Sequence, residues 1–187
     1  LGVALPMLVA QILSLLYNIV DRIYIARIPS VGTTALGAVG LCFPIIVIIT
    51  AFSNLFGSGG APLFSINRGK GNIKKAEVIM NTSFSMLCIC GVALMVIGML
   101  FASPILVLFG ASEEGLSYAY PYMMIYLIGI VPSMIATGMN PFINAQGYAT
   151  SGMLSVTIGA VANLILDPLF IFGLNLGIKG AAIATII

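Results

Sequence analysis

The sequence contains no histidine and no tryptophan, only three cysteines, and charges at just 6% of its 187 residues. Each scarcity removes a class of function. Without histidine there is no Ser-His or Cys-His nucleophile pair. Cys88-Ile89-Cys90 lies in an apolar run without further ligands, so it reads as packing rather than a metal site. Three cysteines cannot staple a chain of this length as a secreted disulfide scaffold. A net charge of +2 supplies almost no surface for neutralising phosphates, which excludes nucleic acid as a partner. Soluble domains draw about 25% of their residues from Asp, Glu, Lys and Arg. Gly57-Ser58-Gly59-Gly60 lacks the following Lys-Ser/Thr of a nucleotide-binding loop.

What is abundant is apolar sequence. Hydrophobic residues make up 60% of the chain and mean hydropathy is +1.18. No charge falls within 28–67, 78–112 or 115–166. About 20 helical residues cross a bilayer core of about 30 Å, so the first two stretches each hold one span and the third holds two. The runs are continuous rather than alternating, which excludes a membrane β-barrel. The expected fold is all-α, a polytopic membrane bundle of five helices and the start of a sixth. The spans are placed at 2–26, 36–67, 77–102, 118–145, 150–172 and 178–187. Glycine, proline and asparagine punctuate the connections. The chain has no initiator Met and stops inside an apolar run, so it is read as part of a longer membrane protein. The first helix carries Asp21 and no basic start, unlike a signal peptide.

Arg68, Lys70, Lys74 and Lys75 lie between the second and third helices, and Glu113 and Glu114 between the third and fourth. The excess of Lys and Arg places the former loop in the cytoplasm. An ionised carboxylate inside a membrane helix is costly, so Asp21 and Asp167 must face a cavity or a partner. Asn163 and Tyr17 each precede one of these carboxylates by four residues, on the same helical face. At about 1.5 Å per residue, Asp21, Asp167, Thr185 and Tyr122 share one layer of the outer half, with Asn163 just beneath. Burial and a neighbouring carboxylate both disfavour the charged form, so such a pair can take up a proton. Two carboxylates with the Asn163 and Thr185 oxygens also suit a small hard cation such as Na⁺. Pro6 interrupts the first helix and is a natural bending point. Gly57, Gly59, Gly60 and Ala61, and the Ser155–Gly159–Asn163 repeat, read as small-residue packing faces.

Several segments in order resemble the multidrug and toxic compound extrusion (MATE) family. They are Ala4-Leu5-Pro6 with Leu16-Tyr17-Asn18-Ile19-Val20-Asp21, then Asn67-Arg68-Gly69-Lys70-Gly71-Asn72 with Lys74-Lys75-Ala76-Glu77. Asn140-Pro141-Phe142-Ile143-Asn144-Ala145-Gln146-Gly147 follows, then Ala162 to Gly173 around Asn163 and Asp167, and Gly177 to Thr185. The resemblance implies one lobe of a two-lobe, twelve-helix secondary transporter, with the C-terminal lobe as its partner. It implies a first-lobe cation site at Asp21, Asn163, Asp167 and Thr185, with Tyr122 hydrogen-bonding the helix-five carboxylate. Pro6 would be where the first helix bends, and Tyr17 and Asn140 would line the substrate cavity. The implied function is antiport: export of amphipathic, often cationic compounds against H⁺ or Na⁺ across a bacterial or archaeal plasma membrane, with no cofactor and no enzymatic step. A lipid-linked oligosaccharide flippase of the same superfamily is the alternative. So is a non-transporting membrane scaffold subunit, which would leave both aspartates without purpose.

Overall fold

The structure, a computed structural model, describes residues 4–29 and 31–187, and every regular element among them is helical. In chain order these are α1 (Ala4–Ala26), α2 (Gly32–Gly69), α3 (Ile73–Leu108), α4 (Glu113–Ile128), α5 (Ile130–Ala145), α6 (Ala149–Pro168) and α7 (Ile178–Ile186). A π-helical turn, Leu169–Gly173, extends α6. Helices α1, α2, α3 and α6 are each long and apolar enough to span a bilayer, and α4 and α5 make a fifth span if the bent pair is counted as one. Helix α7 has nine residues.

The helices start earlier than hydropathy suggests because their caps lie outside the apolar runs. The Asn72 side chain accepts from the Lys75 backbone N–H at 3.1 Å, which starts α3 at Ile73 rather than at 77. Ser112 Oγ accepts from the Gly115 N–H at 3.1 Å, which starts α4 at Glu113 rather than at 118. Both glutamates then lie in the first turn of α4, where the helix dipole favours negative charge. At its other end α3 continues through Pro104 to Leu108 instead of stopping at 102. In hydrocarbon the backbone must satisfy itself, so a proline bends a helix more readily than it ends one.

The single helix expected over 118–145 is two, bent by 58° at Gly129. Pro132 lacks the N–H that would reach back to Ile128, and Gly129 makes room for α7. A Cβ at 129 would lie 2.4 Å from Ile186 Cγ2. The core forms where α2, α3, α4 and α5 meet, around Cys42, Leu87, Leu106, Met123, Leu127, Ile130 and Met134. Its tightest crossing is Gly57 of α2 on Gly138 of α5, where a Cβ on Gly57 would stand 2.4 Å from the Gly138 carbonyl oxygen. Gly60 is likewise closed in by Ser83 and Phe142, whereas nothing approaches Gly59.

Helix α1 packs chiefly along α6 and leaves Leu5, Leu8, Ile12, Leu15, Leu16 and Ile19 exposed. The small-residue face expected along Ser155–Gly159–Asn163 is not a packing seam. Ser155 is exposed and nothing lies within 4 Å of where a Gly159 Cβ would be; only Asn163 is buried. Pro6 is the third residue of α1 as described, and α1 runs on to Ala26 without a break.

Candidate functional site

The α1–α6 contact brings two carboxylates together. Asp21 comes from the last two turns of α1 and Asp167 from the end of α6, and their carboxyl groups lie within hydrogen-bonding reach of each other. Asp167 is 0% exposed. One turn earlier on α6, buried Asn163 donates from Nδ2 to Asp167 Oδ1 at 3.3 Å. That is the same-face relation expected of residues four apart.

Three oxygens of this cluster, Asp21 Oδ1, Asn163 Oδ1 and Asp167 Oδ2, are buried and accept no hydrogen bond. All three are acceptors, and buried acceptors left unpaired are expensive. Behind Asp167 the chain has Pro168, which cannot donate, and then the wide π-helical turn, closed by Leu174 N–H to Leu169 C=O at 2.9 Å. Such turns recur at functional positions in helices.

Tyr122 of α4 is buried at 3% exposure, within electrostatic reach of both Asp21 and Asp167. Its ring stacks on Tyr126 one turn on, at 6.4 Å between centroids. Cys42 of α2 lies beside it, and Tyr17 of α1 is near Tyr126. Among the hydrogen bonds of the described residues there is none from Tyr122 to Asp167. The implied bond is therefore not formed in this conformation, although the ring is in the right neighbourhood.

The remaining expected residues stand apart. Thr185 is exposed and its hydroxyl donates to Ala181 C=O on its own helix at 2.9 Å. Asn140 is half-buried, with its amide engaged inside the lobe: Nδ2 donates to Gly152 C=O at 3.1 Å and Oδ1 accepts from Asn144 Nδ2 at 3.1 Å. Arg22, the residue after Asp21, reaches over to α2, where its guanidinium lies 5.6 Å from the Phe43 ring centroid. Sequence reasoning missed Tyr126, Cys42 and Asn144. The Tyr122/Tyr126 spacing of four was a visible signal, whereas nothing in the sequence links Cys42 to Tyr122.

A bundle of apolar helices, four of them long enough to cross a bilayer, belongs to the polytopic integral membrane proteins. The sequence model of the MatE family matches residues 6–169, and the chain belongs to that family. It is 32% identical to the FAD transporter of Shewanella oneidensis over its whole length, covering 41% of that protein. It is 30% identical to the multidrug export protein MepA of Staphylococcus haemolyticus, with 98% of this chain and 40% of the relative aligned. A crystal structure of MATE in complex with MaD3S superposes with a TM-score of 0.93 at 27% identity, covering 99% of this chain and 41% of that one. The chain thus spans about 40% of the length of the curated relatives it matches.

Proposed function

We propose that this chain is the N-terminal lobe of a secondary antiporter, not an enzyme. It exports amphipathic, often cationic organic compounds as H⁺ or Na⁺ moves inward. The observation that carries this reading is the Asp21–Asp167 contact with its three unpartnered buried oxygens. Two ionised carboxylates in contact repel each other inside a bilayer. Arrival of a cation removes the repulsion and lets α1 close on α6. Its departure pushes the two helices apart. That is a two-state element whose balance an ion gradient biases, and a substrate site facing one side or the other follows from it.

The donors brought together fit a proton directly, since a proton needs only the two carboxyls. A sodium ion is a hard cation that takes several oxygens, of which Asn163 Oδ1 supplies one. It would also draw on the Thr185 hydroxyl, which is exposed near the end of α7. Tyr17, one turn before Asp21, is the residue of α1 we assign to the substrate cavity. The basic loop between α2 and α3 faces the cytoplasm in this reading, and the protein resides in a prokaryotic plasma membrane.

The test uses the complete protein in proteoliposomes, with a fluorescent cationic dye as substrate. Asp167→Asn is expected to reduce gradient-driven efflux to background while the protein still inserts. Unaltered efflux in that variant would sink the coupling role. A pH gradient without Na⁺, against a Na⁺ gradient without a pH difference, names the ion. The similarity to the FAD transporter favours a second substrate reading, a flavin nucleotide. FAD uptake or release in the same vesicles, competed by the dye, decides between the two.

A further inference from the structure

A second polar junction lies in the same lobe, at the end of α6 remote from Asp167. Asn140 and Asn144 sit four residues apart on one face of α5, and Gly152 faces them from α6. The Gly152 carbonyl can only accept, so Asn140 must present Nδ2 to it. Asn140 Oδ1 then faces Asn144, which must present its own Nδ2. The direction of both amides is thereby fixed, and Asn144 Oδ1 is left as a buried acceptor with no donor. It is directed at Gly152: a Cβ there would stand 2.4 Å from Asn144 Oδ1 and 3.2 Å from Asn140 Oδ1. The glycine is required by space and not by backbone angle, since Gly152 lies within the regular turns of α6.

The placement of these residues gives the junction a task. Helix α5 is seated in the core through Gly138 on Gly57, whereas α6 carries Asn163 and Asp167 and packs mainly on α1. Asn140, Asn144 and Gly152 are the polar tie between the seated helix and the carboxylate-bearing one. Side-chain hydrogen bonds between neighbouring helices hold them against sliding past each other.

We propose that the Asn140–Asn144–Gly152 junction keeps α5 and α6 moving as one body throughout the transport cycle, with Asn144 and Gly152 as positioning residues. Movement of α6 when the Asp21–Asp167 pair fills or empties is then transmitted to α5. This rests on the transport reading above.

The experiment uses the complete protein with Cys42, Cys88 and Cys90 replaced, carrying Asn144→Cys and Gly152→Cys. Asn144 Cγ lies 3.3 Å from the position of a Gly152 Cβ, a separation that suits a disulfide between the two positions. The cross-link is expected to form on oxidation, and oxidised and reduced protein to export dye at rates within about twofold of each other. Failure to cross-link would contradict the close approach. Efflux in the reduced protein that falls at least about tenfold on oxidation and returns with reductant would show that the helices separate here, and overturn the proposal. Absence of efflux from the complete protein with its native cysteines would instead overturn the transport reading, and the proposal with it.

A second arm separates positioning from simple damage. Gly152→Ala is expected to slow efflux at least about tenfold, and adding Asn144→Ala to bring it back to within about threefold of Asn144→Ala alone, because the clashing oxygen is gone. A double variant no better than Gly152→Ala would refute the assignment.

Discussion

Asp167 touches Asp21, accepts from Asn163 and is sealed from solvent, so its replacement separates function from stability. Asparagine keeps the volume and removes one of two acidic groups in contact. Thermal unfolding in detergent is therefore expected to stay level or rise by about 2–4 °C in Asp167→Asn, while transport is lost. A fall in melting temperature alongside lost transport would mark Asp167 as structural. Asp21→Asn is expected to lower dye efflux at least about tenfold for the same reason, and retained efflux would reduce Asp21 to an interfacial charge. Both carboxylates were legible in the sequence because a charge in a membrane helix needs a reason. Their contact was not, since depth along a helix says nothing about its rotation. Thr185 shows this limit: its hydroxyl turns back onto Ala181 of its own helix.

At the level of elements, glycines that look alike in sequence differ in what surrounds them. Gly57 and Gly59 stand two residues apart in α2, on opposite sides of the helix. Gly57→Ala would push a methyl into the Gly138 backbone and is expected to destabilise the lobe by about 1–3 kcal/mol. Gly59→Ala meets nothing within 4 Å and is expected to change stability by no more than about 0.5 kcal/mol. Thermal melts of the two variants, side by side, check this; equal losses would contradict the α2–α5 crossing. The number of spans was legible because apolar runs of bilayer length are hard to mistake. The bend at Gly129 was not, because it depends on Ile186 arriving from α7 as well as on Pro132.

For the whole molecule, the decisive fact is that relatives are about two and a half times as long as this chain, which covers about 40% of them. In the function proposed above, alternating access needs both lobes. The 187-residue chain in liposomes is therefore expected to give no gradient-driven dye efflux, and measurable export by it would contradict the two-lobe mechanism.

The sequence by itself determined that this is a helical membrane protein, roughly where it crosses the bilayer, and which two carboxylates are out of place there. Those conclusions rest on composition and spacing along one dimension, and the hydrophobic effect and the bilayer thickness act on these directly. Only the tertiary structure decided which faces meet. It set Asp21 against Asp167, left Gly159 open while closing Gly57, and turned Asn140 inward to Gly152. Each of those outcomes depends on the azimuth of one helix relative to another, and that is fixed jointly by all the helices packed around the pair.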